Sequence, residues 1–169
     1  MNPEQAAFVA QLYIQGLENE YKITRRVLAA VPEDKKEFRL DPNARTAFEL
    51  ASHIAGVDVW FVNGVAKGEF VPEGDRKFGS VKEIVDYYDK EFPAAIERVK
   101  ALPPEKLAKN IQFYSFNFPA AMYLAFVNNH SIHHRGQLAA NLRPMGSKCP
   151  NIYGGSYDEP EEIEASAAN

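Results

Sequence analysis

The sequence predicts an all-α protein, a four-helix bundle with a long connection between its second and third helices. Apolar residues recur at three- and four-residue intervals through four separate stretches, the spacing that lines one face of a helix. Capping residues or a proline open these stretches, and proline or glycine closes them. The 169-residue chain is 46% hydrophobic and 25% charged, a globular composition long enough for one domain with a sizeable core.

The first helix is expected to start at once. Asn2 is a capping residue, Pro3 suits the first helical position, and Gln5 can reach back to the cap. Val9, Tyr13, Leu17, Tyr21, Val27, Leu28 and Val31 carry its apolar stripe, with Glu20 and Thr24 on or near it, and Pro32 ends it. Glu33 to Arg45 is a polar connection. Thr46-Ala47-Phe48-Glu49 has the pattern of a capping box and opens helix two, whose inward stripe is Leu50, His53, Ile54, Val57, Trp60 and Phe61. Gly64 to Gly79 is longer than a helix hairpin needs and is expected to cover one end of the bundle. Ser80-Val81-Lys82-Glu83 reads as a second capping box. Helix three then runs through Ile84, Tyr88, Phe92, Ala95, Ile96 and Val99 to Leu102, with Pro93 inside it as a point for a kink or break. Glu105 to Phe118, with alternating aromatics, could form an extended or short-strand crossover but reads mainly as a loop packed over the bundle. Helix four is expected from Pro119 to about Leu142, stopped by Pro144 and Gly146. Residues 1–157 form the expected domain, and 158–169 an acidic tail that frays.

Composition removes several functions. A formal net charge of −4 gives no basic face for nucleic acid. No apolar run approaches the length of a membrane span, and the N-terminus lacks the regions of a signal peptide. A single cysteine, Cys149, excludes an internal disulfide and fits a reducing cytoplasm. There is no Gly-rich phosphate loop and no nucleophile elbow.

The informative stretch is Asn128-Asn129-His130-Ser131-Ile132-His133-His134-Arg135-Gly136-Gln137-Leu138, which holds three of the four histidines. Positions four apart differ by about 40° around a helix, so His130 and His134 stack on one face. That face also carries Tyr123, Phe126, Val127, Leu138 and Leu142, with Gln137 and Asn141. His53 lies on the inward stripe of helix two. Histidines on apolar faces need partners for both ring nitrogens, and a metal ion or a hydrogen-bonded polar layer would supply them. Spacing alone leaves both readings open, and leaves His133, three residues from His130, beside His134. No Glu-x-x-His motif is present in this stretch, which argues against a di-iron carboxylate bundle.

Three segments carry a resemblance: Glu49-Leu50-Ala51-Ser52-His53-Ile54, His130-Ser131-Ile132-His133-His134-Arg135-Gly136-Gln137-Leu138, and Lys148-Cys149-Pro150-Asn151-Ile152-Tyr153-Gly154. With them the chain resembles the DinB/YfiT-like metalloenzymes, most closely in the family's His-x-x-x-His-Arg-Gly-Gln pattern. The resemblance implies an up-down-down-up bundle with a long crossover connection. It implies a divalent metal, zinc or nickel, held by His53, His130 and His134. Gln137 and Glu49 are candidates to support the ligands, although Glu49 is read first as a helix cap. Arg135, about 140° around the helix from His130, is read as a packing or ion-pair residue.

Three imidazoles leave coordination positions open, the arrangement of a catalytic metal site. The resemblance implies a low-molecular-weight thiol as co-substrate in an S-transfer or isomerisation, with a homodimer as the assembly. The alternatives are a metal-dependent hydrolase and a non-catalytic, stress-associated metal-binding protein.

Overall fold

The fold is seen in a computed structural model, in which residues 1–74 and 76–160 are described. Helix α1 spans Pro3–Ala29, α2 Ala47–Lys67, α3 Val81–Lys100, α4 Pro104–Ala108 and α5 Tyr123–Leu142. Strands β1 (Asn110–Phe113) and β2 (Phe116–Pro119) lie between α4 and α5. The four long helices are the four expected from periodicity, and α5 is the fourth of them.

Side-chain pairs fix the directions. Along α1, Gly16 lies beside Asn128, Thr24 meets Ser131 and Ala30 meets Ser147, so α1 and α5 run parallel. Glu18 meets Lys100 and Arg25 meets Asp89, so α1 and α3 are antiparallel. Asp58 meets Tyr88 and Asn63 meets Arg98, so α2 and α3 are parallel. The order is therefore up-down-down-up. Two parallel neighbours need a return connection, and residues 69–74 and 76–80 double back along α2. Gly68 closes α2 at φ 79°, in the left-handed region. Phe70 then packs flat on Gly64, where an added Cβ would come within 2.3 Å of its ring. The Trp60 indole donates to the Val71 carbonyl at 2.9 Å. The long connection thus lies along the flank of α2.

Both predicted caps of the first two helices are present. Asn2 and Gln5 exchange hydrogen bonds at the start of α1, and Thr46 and Glu49 do so at the start of α2. The third differs. Ser80 caps Glu83 N–H, but the Glu83 carboxylate accepts from Gly79 N–H at 2.7 Å, one residue beyond the reciprocal partner. Pro93 neither ends nor splits α3.

The expected loop 105–118 is a short helix and a hairpin. Ile111 pairs with Phe118 and Phe113 with Phe116 across a two-residue turn in which Tyr114 adopts φ 49°. Alternating aromatic and branched residues suit a strand pair, and Tyr123 Oη ties it down by donating to the Ile111 carbonyl at 2.8 Å. The hairpin consumes Pro119, so a short 3-10 turn at Ala120–Met122 precedes α5 and the helix starts at Tyr123 instead of at Pro119.

The expected tail is docked at its first residues. Asp158 accepts from Arg143 at 2.8 Å and from Cys149 N–H at 2.9 Å, and Glu159 pairs with Arg26. Residues 161–169 lie outside the described residues. Among the described residues, no helix is long and apolar enough to cross a membrane.

Candidate metal centre

Helices α2 and α5 cross so that His53 faces His130 and His134. The i, i+4 spacing puts the last two on one side of α5, and the antiparallel packing of α2 sets His53 opposite them. The imidazole centroids are 5.0 Å apart for His53 and His130, 4.6 Å for His53 and His134, and 4.5 Å for His130 and His134. One ligand atom from each of the three can be chosen so that all lie within 4.8 Å of one another. His133 is exposed; its ring stacks edge-on against His134 at 4.8 Å, outside the group.

The outer nitrogens are committed elsewhere. His130 Nδ1 lies 2.8 Å from Asp58 Oδ1. A carboxylate only accepts, so the proton sits on Nδ1 and the lone pair on Nε2. His134 Nδ1 donates to Gln137 Oε1 at 2.8 Å, with the same consequence. His130 Nε2 is 3.1 Å from His53 Nε2. Zinc with nitrogen ligands at 2.0–2.1 Å in tetrahedral array holds neighbouring nitrogens about 3.3 Å apart. The arrangement suits a divalent ion: His130 and His134 turn their Nε2 atoms inward, and the 3.1 Å between His130 Nε2 and His53 Nε2 is near the spacing within a coordination shell.

Asp58 is fully buried between His130 and Tyr88, whose hydroxyl donates to its other oxygen at 3.1 Å. Burial, then Asp58, pushes the Tyr88 pKa well above its ordinary value, so the phenol remains a donor. A metal-ligating histidine held by a carboxylate has a fixed tautomer and ring orientation. His134 has its pKa pushed below 6.5 chiefly by burial, opposed by the Gln137 bond and aided by the charges of His130, His133 and Arg45. The burial of His134 favours the neutral ring that metal binding requires.

The sequence profile of the DinB family matches residues 4–165. The chain belongs to the DinB family. Its fold agrees with that of a DinB-like protein from Bacillus cereus ATCC 10987, at TM-score 0.73 and 24% identity over 83% of this chain and 95% of that one. A DinB-like protein from Bacillus subtilis, YjoA, gives TM-score 0.69 and 18% identity over 84% and 96%. The uncharacterized protein YrdA of Bacillus subtilis (strain 168) is 24% identical over 149 residues, 87% of this chain and 89% of YrdA.

Within this DinB bundle, the remaining candidates separate. Gln137 is exposed instead of lining the inward stripe, yet its amide oxygen holds His134. Glu49 is turned into the cap of α2, its carboxylate accepting from Thr46 N–H at 2.7 Å, while Asp58 on the same helix holds His130. Sequence reasoning missed Asp58. Its signal was available: a lone acid with Ile54 and Val62 at i−4 and i+4 sits in the middle of an apolar stripe.

Arg135 is buried at 1% exposure and points away from the histidines. It pairs with Glu20 and donates to Thr24 Oγ1 at 3.1 Å and Tyr153 Oη at 2.5 Å. Tyr153 in turn donates to Glu20 at 2.9 Å. The ion-pair reading of Arg135 is correct. Glu20 and Thr24, placed near the edge of the α1 stripe by periodicity, are the groups that satisfy it. The charge belongs to a buried network that clamps α1, α5 and the C-terminal segment together.

Proposed function

We propose that His53, His130 and His134 hold a divalent metal ion, zinc or nickel, and that the site serves a metal-dependent transferase or isomerase acting with a low-molecular-weight thiol. The observation that carries the metal reading is the anchoring of two outer ring nitrogens, His130 Nδ1 on Asp58 and His134 Nδ1 on Gln137, which turns their inner nitrogens toward His53. A bound divalent ion of this kind lowers the pKa of a thiol or water in an open position, making thiolate or hydroxide available near neutral pH. The protein's own part is to hold the ligands. Asp58 and Gln137 fix the orientation of two imidazoles and occupy their Nδ1 atoms. Trp60, two turns along α2 from His53 in the wall of the same groove, offers an apolar surface for the electrophile. Family resemblance, not the ligand geometry, favours thiol chemistry over hydrolysis.

Metal content of untagged protein, measured by mass spectrometry, tests the first half. Near-stoichiometric metal that is lost in His53→Ala, His130→Ala and His134→Ala but kept in His133→Ala supports the three-histidine site. Failure to retain or take up zinc or nickel would remove it. Turnover assays with glutathione, bacillithiol and mycothiol against several electrophiles test the second half. Turnover of esters or amides without any thiol would replace the transferase reading with a hydrolase.

A further inference from the structure

A groove of about 1390 Å³ runs along α2 beneath the returning connection, and His53 lies in its wall. That volume exceeds what a simple thiol fills and admits a ligand the size of a tripeptide. The charges along the groove are not distributed evenly in their commitments. Toward α3, Glu83 is held by Gly79 N–H, Asp86 by Lys82 and Glu91 by Lys90, while Arg76 stacks on the Tyr87 ring at 4.4 Å. Arg39, Arg45 and Glu49 line the groove as well. The Thr46 N–H lowers the Glu49 pKa, and both arginines are close enough to Glu49, one turn before His53 on α2, to lower it further, with Arg45 close enough to act on His134. Glu49 has its carboxylate turned to the Thr46 N–H. Arg39 and Arg45 are exposed, and neither forms an ion pair with any described residue. Two guanidiniums thus face the groove at its metal end against one carboxylate that is already hydrogen-bonded.

We propose that Arg39 and Arg45 form a carboxylate clamp at the histidine end of this groove, so that the thiol admitted to the site is one that carries free carboxylates away from its sulfur. The inference rests on the thiol reading above and adds the class of thiol. Guanidinium presents a planar fork of donors that matches carboxylate geometry, which a solvated ammonium does not. A carboxylate held there leaves the rest of the ligand in the groove, whose wall includes His53. The arginines would select the ligand by charge and leave its chemistry to the metal site.

Glutathione and glutathione diethyl ester separate charge from scaffold, because esterification neutralises both carboxylates and leaves the thiol in place. With cobalt-loaded protein, the thiolate-to-cobalt absorption band reads binding directly. Glutathione is expected to bind about tenfold more tightly than the diester. In the Arg39→Gln/Arg45→Gln double variant the two should differ by less than about twofold, with metal content unchanged. Equal binding in the wild type, or an undiminished preference in the double variant, would overturn the clamp. S-methylglutathione, followed by ligand-observed NMR, keeps the carboxylates and blocks the thiol. If neither thiol gives the cobalt band but this analogue binds wild type and not the double variant, the clamp stands and the thiol reading falls. If its binding is absent or indifferent to the arginines, the clamp falls as well.

Discussion

Asp58 is the residue whose replacement reads the metal centre most directly. One oxygen takes the His130 Nδ1 proton at 2.8 Å and the other the Tyr88 hydroxyl at 3.1 Å, with no solvent exposure. Asp58→Asn keeps size and shape. Its amide oxygen can still accept from His130, and its amide nitrogen can face the Tyr88 oxygen. What is lost is the charge on the acceptor. A hydrogen bond to a charged partner contributes about 1.5–3 kcal/mol and a neutral one about 0.5–1.5 kcal/mol. The difference, about 1–1.5 kcal/mol, corresponds to about tenfold in metal affinity. Asp58→Ala leaves two donors without this acceptor, at about 1–3 kcal/mol each. It should therefore unfold the metal-free protein about 2–6 kcal/mol more easily and weaken zinc toward a hundredfold. Chelator-competition titration gives the affinities, and urea denaturation of the metal-free protein gives the stabilities. Zinc affinity in Asp58→Asn within about twofold of wild type would refute the idea that this carboxylate tunes His130.

Glu20→Ala leaves the Arg135 guanidinium buried with no carboxylate, only the Thr24 and Tyr153 hydroxyls and the residue-20 backbone carbonyl, and urea denaturation should show a loss of about 3–5 kcal/mol while zinc stoichiometry is kept. The folded state resists protonating His134, whereas the unfolded chain accepts a proton near 6.5. Stability of the metal-free protein should therefore be fullest above 6.5 and fall as pH drops through that value toward the lower folded pKa. Urea midpoints across that range should show the slope, and His134→Gln should flatten it. Gly136 is an exposed helix-interior glycine, and a Cβ added there meets nothing within 4 Å. Gly136→Ala should raise the melting free energy by about 0.5–1 kcal/mol, and a loss instead would reveal a close approach from another molecule. We propose that the homodimer implied by the family resemblance would cover Phe8 and Leu12, one turn apart on α1 and 61% and 52% exposed. Sedimentation velocity should then find a dimer for the wild type and a monomer for Phe8→Glu. A monomeric wild type would remove the proposal.

Helix periodicity and caps were legible because they are local. Asn2 with Gln5 and Thr46 with Glu49 act within one turn, and the apolar stripes follow from the pitch of the helix. The same locality put His130 and His134 on one face and His53 on the inward side of α2. The hairpin at 110–119 was harder. Its pairing depends on Tyr114 taking a left-handed backbone that tyrosine seldom adopts, and on Tyr123 holding it from the next helix. Glu83 bonds one residue away from the expected partner, a shift set by the path of the incoming connection.

By itself, the sequence determined the four amphipathic helices, their order, and a histidine pair facing inward on the last of them. It also carried the motifs that place the chain among DinB proteins. Only the tertiary structure decided which groups complete the site. Asp58 and Tyr88 come together from α2 and α3, thirty positions apart. Glu20 reaches Arg135 across 115 positions. Such pairs depend on the direction and rotation of whole helices, and these are set by packing the apolar stripes against one another. Periodicity says which face of a helix turns inward. It does not say which residue on another helix will be waiting there.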